Sequence, residues 1–318
     1  MPLHVAVVMD PIGSILIAKD TSFAMLLEAQ RRGHHLHYVL PGGLGVADGR
    51  AMARMAPLSV REDPADWYTL GPATSAGLAG MDVVLMRRDP PVDTEYLHDS
   101  IVLSMAQAEG VLVANDPGGL RDLNEKLAAL LFPHCCPPSL VSRDAAELRA
   151  FVAEHGECVL KPLDGMGGRS IFRVVAGEAN VNVILETLTA GGRQLAMAQR
   201  YIPEIRDGDK RILLVDGEPV PYCLARIPQG GEFRGNLAAG GRGEGRPLTE
   251  RDRWIAAQVG PELKRRGMLF VGLDVIGDWL TEVNVTSPTC VRELDKQFGL
   301  NICAGLFEAI EARRAASR

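Results

Sequence analysis

The stretch Leu160-Lys161-Pro162-Leu163-Asp164-Gly165-Met166-Gly167-Gly168 decides how the chain is read. A short apolar run from Cys158 ends in a lysine, and three glycines follow within four residues. A second apolar run resumes over 170–175, so the glycines sit at the tip of a hairpin. Glycines let backbone N–H groups approach an anion closely, and a lysine at a strand end supplies a point charge for it. A P-loop runs into a helix, whereas this tip runs into a strand and would fold over a nucleotide. A plain glycine-rich turn fits the same residues, so the choice rests on the rest of the chain.

Downstream, 270–276 and 279–285 are apolar strands joined by Gly277-Asp278, a tight hairpin. Glu282 and Asn284 are two residues apart and share one strand face, while Val283 and Val285 share the other. Asp274 lies on the partner strand in a phase that can bring it beside them. Two carboxylates and an amide are the hard oxygen donors that Mg²⁺ prefers; an amphipathic hairpin with a solvated face is the competing reading. Arg211 and Arg226 lie on strands flanking the turn Asp216-Gly217-Glu218, where guanidinium forks could meet phosphate or a developing oxyanion. A surface salt bridge is the alternative for each. Between Pro228 and Pro247 stand seven glycines and three arginines. A stretch of this kind is either a surface loop or a lid, with Arg234 or Arg242 as charge clamps.

The remaining residues narrow the class. A chain of 318 residues implies two or three domains, and 47% apolar against 23% charged residues is a globular balance. Net charge −6 lacks the basic face of a nucleic-acid binder. No apolar run approaches the roughly 18 residues of a membrane span, so no membrane partner is expected. Six cysteines without C-x-x-C spacing, and an N-terminus that reads as a buried strand, imply a reducing cytoplasm. His35 and His37 share a strand face with no acid or thiol nearby to complete a metal site. H-E-x-x-H, G-x-S-x-G and P-loop patterns are absent, and all seven histidines lie at or before His155. The first third alternates strands (5–9, 36–40, 83–86, 111–114) with helices capped at Thr21 or Ser22 and spanning 96–109, which implies a mostly parallel sheet. Its first turn, Asp10-Pro11-Ile12-Gly13-Ser14, carries no G-x-G-x-x-G. One helix over 120–132 leads into an antiparallel α+β region.

Placed in order, these elements resemble an ATP-grasp ligase, and in detail the prokaryotic glutathione synthetase family. The resemblance rests on Met9-Asp10-Pro11, on Ser22 through Gly33, on Arg88-Asp89-Pro90-Pro91, on Asn124-Glu125-Lys126 and on the glycine-rich stretch quoted first. It continues through Asp207-Gly208-Asp209-Lys210-Arg211, Ala225-Arg226-Ile227-Pro228-Gln229-Gly230-Gly231, Arg234 to Gly241, and Glu282-Val283-Asn284-Val285-Thr286-Ser287-Pro288-Thr289. It implies an N-terminal, mostly parallel βαβ domain (1–122), then an ATP-grasp fold of two α+β subdomains (123–202 and 203–318) with a mobile loop at 228–247. It also implies ATP-dependent ligation of γ-glutamylcysteine with glycine through an acyl phosphate, with Mg²⁺ (or Mn²⁺) as the ion and a homo-oligomer, a tetramer, as the assembly. By motif, Lys126, Lys161, Gly165, Gly167 and Gly168 would hold the phosphates, and Gln199, Tyr201, Ile202, Asp209 and Asp274 the rest of the nucleotide. Asp274, Glu282 and Asn284 would bind metal, and Arg211 and Arg226 would be catalytic. Asp20, Arg87, Ser287 and Arg292 would meet the dipeptide, with Gly230, Gly231, Arg234, Gly240 and Gly241 in the lid. A different ATP-grasp ligase, D-alanine–D-alanine-like or glutamate-adding, and a non-catalytic ATP-binding module are the alternatives. The basic residues divide into 28 Arg and 6 Lys. Two of the six fall at the proposed phosphate contacts, where a compact ammonium acts as a point charge.

Overall fold

In the computed structural model, which describes residues 1–165, 167–230, 234–235 and 240–316, the chain builds three sheets. β1 (His4–Val8) is buried from its second residue on. α1 (Thr21–Arg31) is capped by Asp20, whose Oδ1 accepts from Phe23 N at 2.6 Å, and not by Thr21 or Ser22, which lie buried inside the helix. There follow β2 (His35–Ala47), β3 (Arg50–Val60), β4 (Tyr68–Leu70), β5 (Thr74–Gly77), β6 (Val83–Met86), α2 (Thr94–Ala108) and β7 (Leu112–Ala114). The sheet order is β4-β3-β2-β1-β6-β7, with β5 also on β3. Its β2-β1-β6-β7 core is parallel, as the βαβ rhythm implies. The antiparallel flank over 41–77 goes beyond that expectation. Its signal is Asp48-Gly49 between the strands β2 and β3, with Ala51, Ala53 and Met55 alternately buried on β3.

The single helix expected over 120–132 is two, α3 (Pro117–Asp122) and α4 (Glu125–Ala129). The break falls where Asn124 Oδ1 accepts from Lys126 N (3.1 Å) and Leu127 N (3.2 Å), a side-chain cap that starts a new helix. The second sheet is built from β8 (Ser139–Ser142), α5 (Ala145–His155), β9 (Glu157–Pro162), β10 (Phe172–Val175), α6 (Val181–Thr189) and β11 (Ala196–Arg200), in antiparallel order β10-β9-β11-β8. Its core, with Leu148, Leu160, Val174 and Leu185, is its own. The third comprises β12 (Asp209–Val215), β13 (Glu218–Ile227), β14 (Arg242–Pro247), α7 (Glu250–Arg265), β15 (Phe270–Ile276), β16 (Trp279–Asn284), α8 (Val291–Phe298) and α9 (Ile302–Ala316), in order β14-β13-β12-β15-β16. β14 corrects the reading of 228–247 as one loop: its last six residues pair with β13, and Arg242 bonds Glu244 at 3.0 Å.

Two further apolar clusters each join the first sheet to the third, one through Val84, Leu103, Ile212 and Leu273, the other through Val5, Phe23, Leu224 and Phe307. All six cysteines are free and buried, and among the described residues no helix is long and apolar enough to cross a membrane.

A polar seam closes the same junction. Glu28, 4% exposed, accepts from Arg31 (2.7 Å) at the end of α1, from Arg32 (2.6 Å) directly after it and from Asn301 (3.0 Å) just before α9, while Arg32 reaches Glu311 at 3.0 Å. The Arg31 bonds foremost, then Asn301 and Arg32, outweigh burial and hold Glu28 at about 2. A carboxylate depressed on folding stabilises above its unfolded value and loses that contribution as pH falls to the folded one. Glu28→Gln is therefore expected to cost about 2 kcal/mol at pH 7, discounted because Arg31 is exposed. Urea unfolding of both proteins at pH 7 and pH 3.5 checks this: the gap narrows at the lower pH, and an equal gap at both would remove the ionised carboxylate from the seam.

Candidate active site

The antiparallel register assembles the polar centre. Arg211 on β12 stands opposite Asp274 on β15, which stands opposite Glu282 on β16, while Asp209 stands opposite Arg226 on β13. Directly opposed residues bring their Cβ atoms to about 5 Å. Asp274, only 2% exposed, accepts from Arg211 at 2.6 and 3.1 Å and pairs with Arg226 at 2.9 Å. Burial alone would raise Asp274, but Arg211 and Arg226 outweigh it and hold the carboxyl well below the usual carboxylate range. Arg226 also pairs with Asp209 Oδ2 at 2.5 Å. Burial pushes Asp209 up to about 7 against that cation, and among the described residues its buried Oδ1 has no hydrogen-bond partner.

Both lysines come from outside this sheet and converge on its edge. The cap at Asn124 puts Lys126 in the first turn of α4, with Nζ 3.0 Å from Gly165 O and paired to Glu125. Lys161, at the end of β9, lies 3.5 Å from Gln199 Oε1. Glu282 Oε1 is 3.8 Å from Lys126 Nζ and 3.7 Å from Lys161 Nζ, so one carboxylate balances two buried ammoniums. Burial lowers the fully enclosed Lys161, with Glu282 opposing. At Lys126, Glu282 and Glu125 together overcome burial and raise it, while burial and the nearby Glu282 push Glu125 up to about 7.

These groups line one cavity of about 310 Å³, within the usual range for small-ligand sites. Lys126, Lys161, Gly165, Gly167 and Gly168 form one wall, with Gln199, Tyr201 and Ile202 beside them. Asp209, Arg211, Arg226, Asp274, Glu282, Asn284 and Ser287 form the other. Arg234 also lines it and donates to Gly168 O at 2.7 Å, which ties the Pro228–Pro247 stretch to the glycine-rich tip. Gly230, Gly240 and Gly241 do not line it, and Gly231 lies outside the described residues.

Three residues assigned to the dipeptide have other work. Asp20 caps α1, and Arg292 pairs with Glu62 at 2.7 Å. Arg87, 5% exposed, donates to Ser22 Oγ (3.0 Å) and Pro288 O (2.9 Å). None of the three lines the cavity. Local sequence cannot distinguish a cation that faces a ligand from one that pins two segments together. Sequence reasoning also passed over Glu125 and Asp89, both of which line the cavity. Each sat inside a quoted motif, near the Lys126 and Arg87 that were assigned roles.

The donor set suits a hard cation. Asp274 and Glu282 are opposed, and Asn284 spends its amide nitrogen on Gly272 O (3.3 Å), leaving its oxygen for a metal. Among the described residues no group of three His, Cys, Asp or Glu side chains is placed to hold an ion by itself. Two carboxylates and an amide leave positions for phosphate oxygens and water, as Mg²⁺ sites with nucleotides do.

Comparison with known proteins decides the family. The model of the prokaryotic glutathione synthetase ATP-grasp domain matches residues 125–299, and that of the N-terminal domain of the same enzymes matches 3–121. The chain belongs to the prokaryotic glutathione synthetase family. Among relatives named glutathione synthetase, that of Xanthomonas campestris pv. campestris is 75% identical over 99% of this chain and 100% of its own length. The Pseudomonas putida protein is 59% identical, covering 98% and 99%, and the Salmonella typhimurium protein 57%, covering 98% and 99%. The fold also matches the D-cycloserine synthetase DcsG (TM-score 0.65, 16% identity, 99% and 100% covered). The ATP-grasp ligase PsnB with its minimal precursor matches too (TM-score 0.62, 19% identity, 98% and 99% covered). At such identities the likeness speaks to fold. A member of this family with an ATP-grasp domain is an ATP-dependent ligase that uses a divalent metal.

Proposed function

We propose that this chain joins γ-glutamylcysteine to glycine at the expense of ATP, giving glutathione, ADP and phosphate. The observation that carries the reading is the convergence of Lys126, Lys161, Arg211, Arg226, Asp274 and Glu282 on one cavity in a chain 57–75% identical to glutathione synthetases along its length. Lys126 and Lys161 hold the ATP phosphates beneath Gly165, Gly167 and Gly168. Gln199, Tyr201 and Ile202 clasp adenine between the second and third sheets, and Asp209, whose Oδ1 has no partner among the described residues, takes a nucleotide hydroxyl. Asp274, Glu282 and Asn284 hold Mg²⁺, with Mn²⁺ as the alternative ion; bound there, the metal would neutralise nucleotide charge and polarise the phosphoryl oxygens.

The γ-phosphoryl group passes to the cysteinyl carboxylate of the dipeptide, which becomes an acyl phosphate as ADP departs. The glycine amine adds to that carbonyl, the tetrahedral intermediate expels phosphate, and the amine proton leaves with it or to water. Arg211 and Arg226 stabilise first the phosphoryl charge and then the oxyanion. Histidine is not required, because phosphoryl transfer depends mainly on positioning and electrostatics. Ser287, the one assigned dipeptide residue on the cavity wall, is the contact retained for that substrate. Water would hydrolyse the acyl phosphate, so the Arg234 bond to Gly168 O belongs to a lid that excludes it. The boundaries 1–122, 123–202 and 203–318, a cytoplasmic location and a homotetramer complete the reading.

ADP release measured with paired omissions tests it. Release is expected only with γ-glutamylcysteine and glycine both present. Turnover without glycine to a ligated product would assign a different ATP-grasp ligase, and saturable ATP binding with no turnover under any acceptor a non-catalytic module.

A further inference from the structure

The hairpin of β15 and β16 carries all three metal-binding residues, and its two ends are held differently. The closed end is the turn at Gly277-Asp278. At the open end the strands diverge beyond the pair Gly272 and Asn284. There a side chain from the first sheet enters. Asn115, directly after β7 and 4% exposed, accepts from Phe270 N at 2.8 Å and donates to Phe270 O at 2.7 Å and Val285 O at 2.6 Å. Its amide thus bonds both strands at once. Phe270 begins β15 four residues before Asp274, and Val285 directly follows Asn284.

The hold matters because the hairpin is irregular where its chemistry lies. The register shifts between Asp274 and Val275, so turn geometry alone does not fix how far Asp274 sits along its strand from Glu282 and Asn284. We infer that Asn115 is a positioning residue for the metal site, its side-chain amide setting the spacing of Asp274 against Glu282 and Asn284 from outside the ATP-grasp sheet. Only a carboxamide does this, since two donors and one acceptor are needed at one buried point. Neighbouring contacts run the same way: Arg87 from β6's end bonds Pro288 O at 2.9 Å, and Asp116 N bonds Gly267 O at 3.2 Å. The inference rests on the proposed metal site.

Asn115→Asp keeps size and the bond from Phe270 N but turns an oxygen toward two carbonyl oxygens. Asn115→Ser keeps one donor without the added charge. Mn²⁺ binding to the ADP-loaded protein, read by electron paramagnetic resonance, is expected to weaken about 10-fold or more in both, as for lost outer-shell ligand support. Half-maximal activation by Mg²⁺ should rise in parallel, with ADP affinity in the absence of metal unchanged. A merely structural role would reduce the folded fraction and leave metal affinity per folded molecule unmoved, and that result overturns the inference. Glu282→Gln is measured alongside: wild-type Mn²⁺ binding there would overturn the metal site itself, whereas weakened binding there with unchanged Asn115 variants overturns this inference alone. Hydrogen exchange at the Phe270 amide in the unmodified protein is independent of how the variants fold. It should slow when Mg²⁺ is added to the ADP complex, and no change would count against the role.

Discussion

Glu282→Gln is expected to lower turnover on the order of 100-fold or more if the proposed metal site is right, because it removes one of the two carboxylate charges of that site. A change that only weakened nucleotide binding would be recovered by excess ATP; this one should not be, since on the proposed reading the lost carboxylate holds the metal that carries the phosphoryl charge. The structure adds a consequence for stability. Glu282 is the shared counter-ion of Lys126 and Lys161, 3.8 and 3.7 Å away. Lys126 keeps Glu125, but Lys161 loses its ion pair and, among the described residues, keeps only the hydrogen bond to Gln199, in surroundings whose burial already lowers it. The ligand-free variant should therefore melt at a lower temperature than the parent, and MgADP, by supplying phosphate oxygens to both lysines, should narrow the gap. Near-parental turnover at limiting Mg²⁺ would remove Glu282 from the metal site. An unchanged melting temperature without ligand would remove it from the charge balance.

Asp274→Asn should be the more damaging change to the fold. Asp274 lies between Arg211 and Arg226, with three contacts at 2.6 to 3.1 Å, and is 2% exposed. The amide is nearly isosteric, so packing survives, but two buried guanidiniums are left sharing Asp209. Removing one partner of such a buried pair typically costs about 3–5 kcal/mol, because the remaining charge has lost its compensation. Urea unfolding near neutral pH measures it, and a loss below about 1 kcal/mol would show the cluster to be solvated. The pH dependence has a definite sign. Folding depresses Asp274, so its contribution is complete above the unfolded value near 3.8 and is lost as pH falls toward the folded one. The gap between parent and variant should shrink as pH falls below that unfolded value. Activity should fall as well, and Mg²⁺ should not restore it.

The two variants remove carboxylates that the sequence places in one proposed ligand set, yet their environments differ. The alternation of Glu282 and Asn284 with Val283 and Val285, and the tight turn at Gly277-Asp278, were legible because strand periodicity and turn chemistry act over a few residues. The glycine-rich tip between β9 and β10 was legible for the same reason. Local reasoning misplaced the cap of α1, where Asp20 competes with the adjacent Thr21 and Ser22, and read α3 and α4 as one helix across the cap at Asn124. It also passed over the antiparallel flank at 41–77 despite the turn at Asp48-Gly49.

What the sequence by itself determined is the inventory and its local phase: a hairpin bearing Asp274, Glu282 and Asn284, a lysine before a glycine-rich tip, arginines on neighbouring strands, and motifs specific enough to name a family. Tertiary structure alone decided what each charged group faces. Glu282 answers to lysines 156 and 121 residues away, Arg87 pins Pro288 instead of facing the cavity, and Asn115 holds a hairpin 155 to 170 residues downstream. The reason is range. Backbone propensity and side-chain periodicity are set by near neighbours, whereas the partner of a buried charge is chosen by which sheets share a core, and here the first and third do.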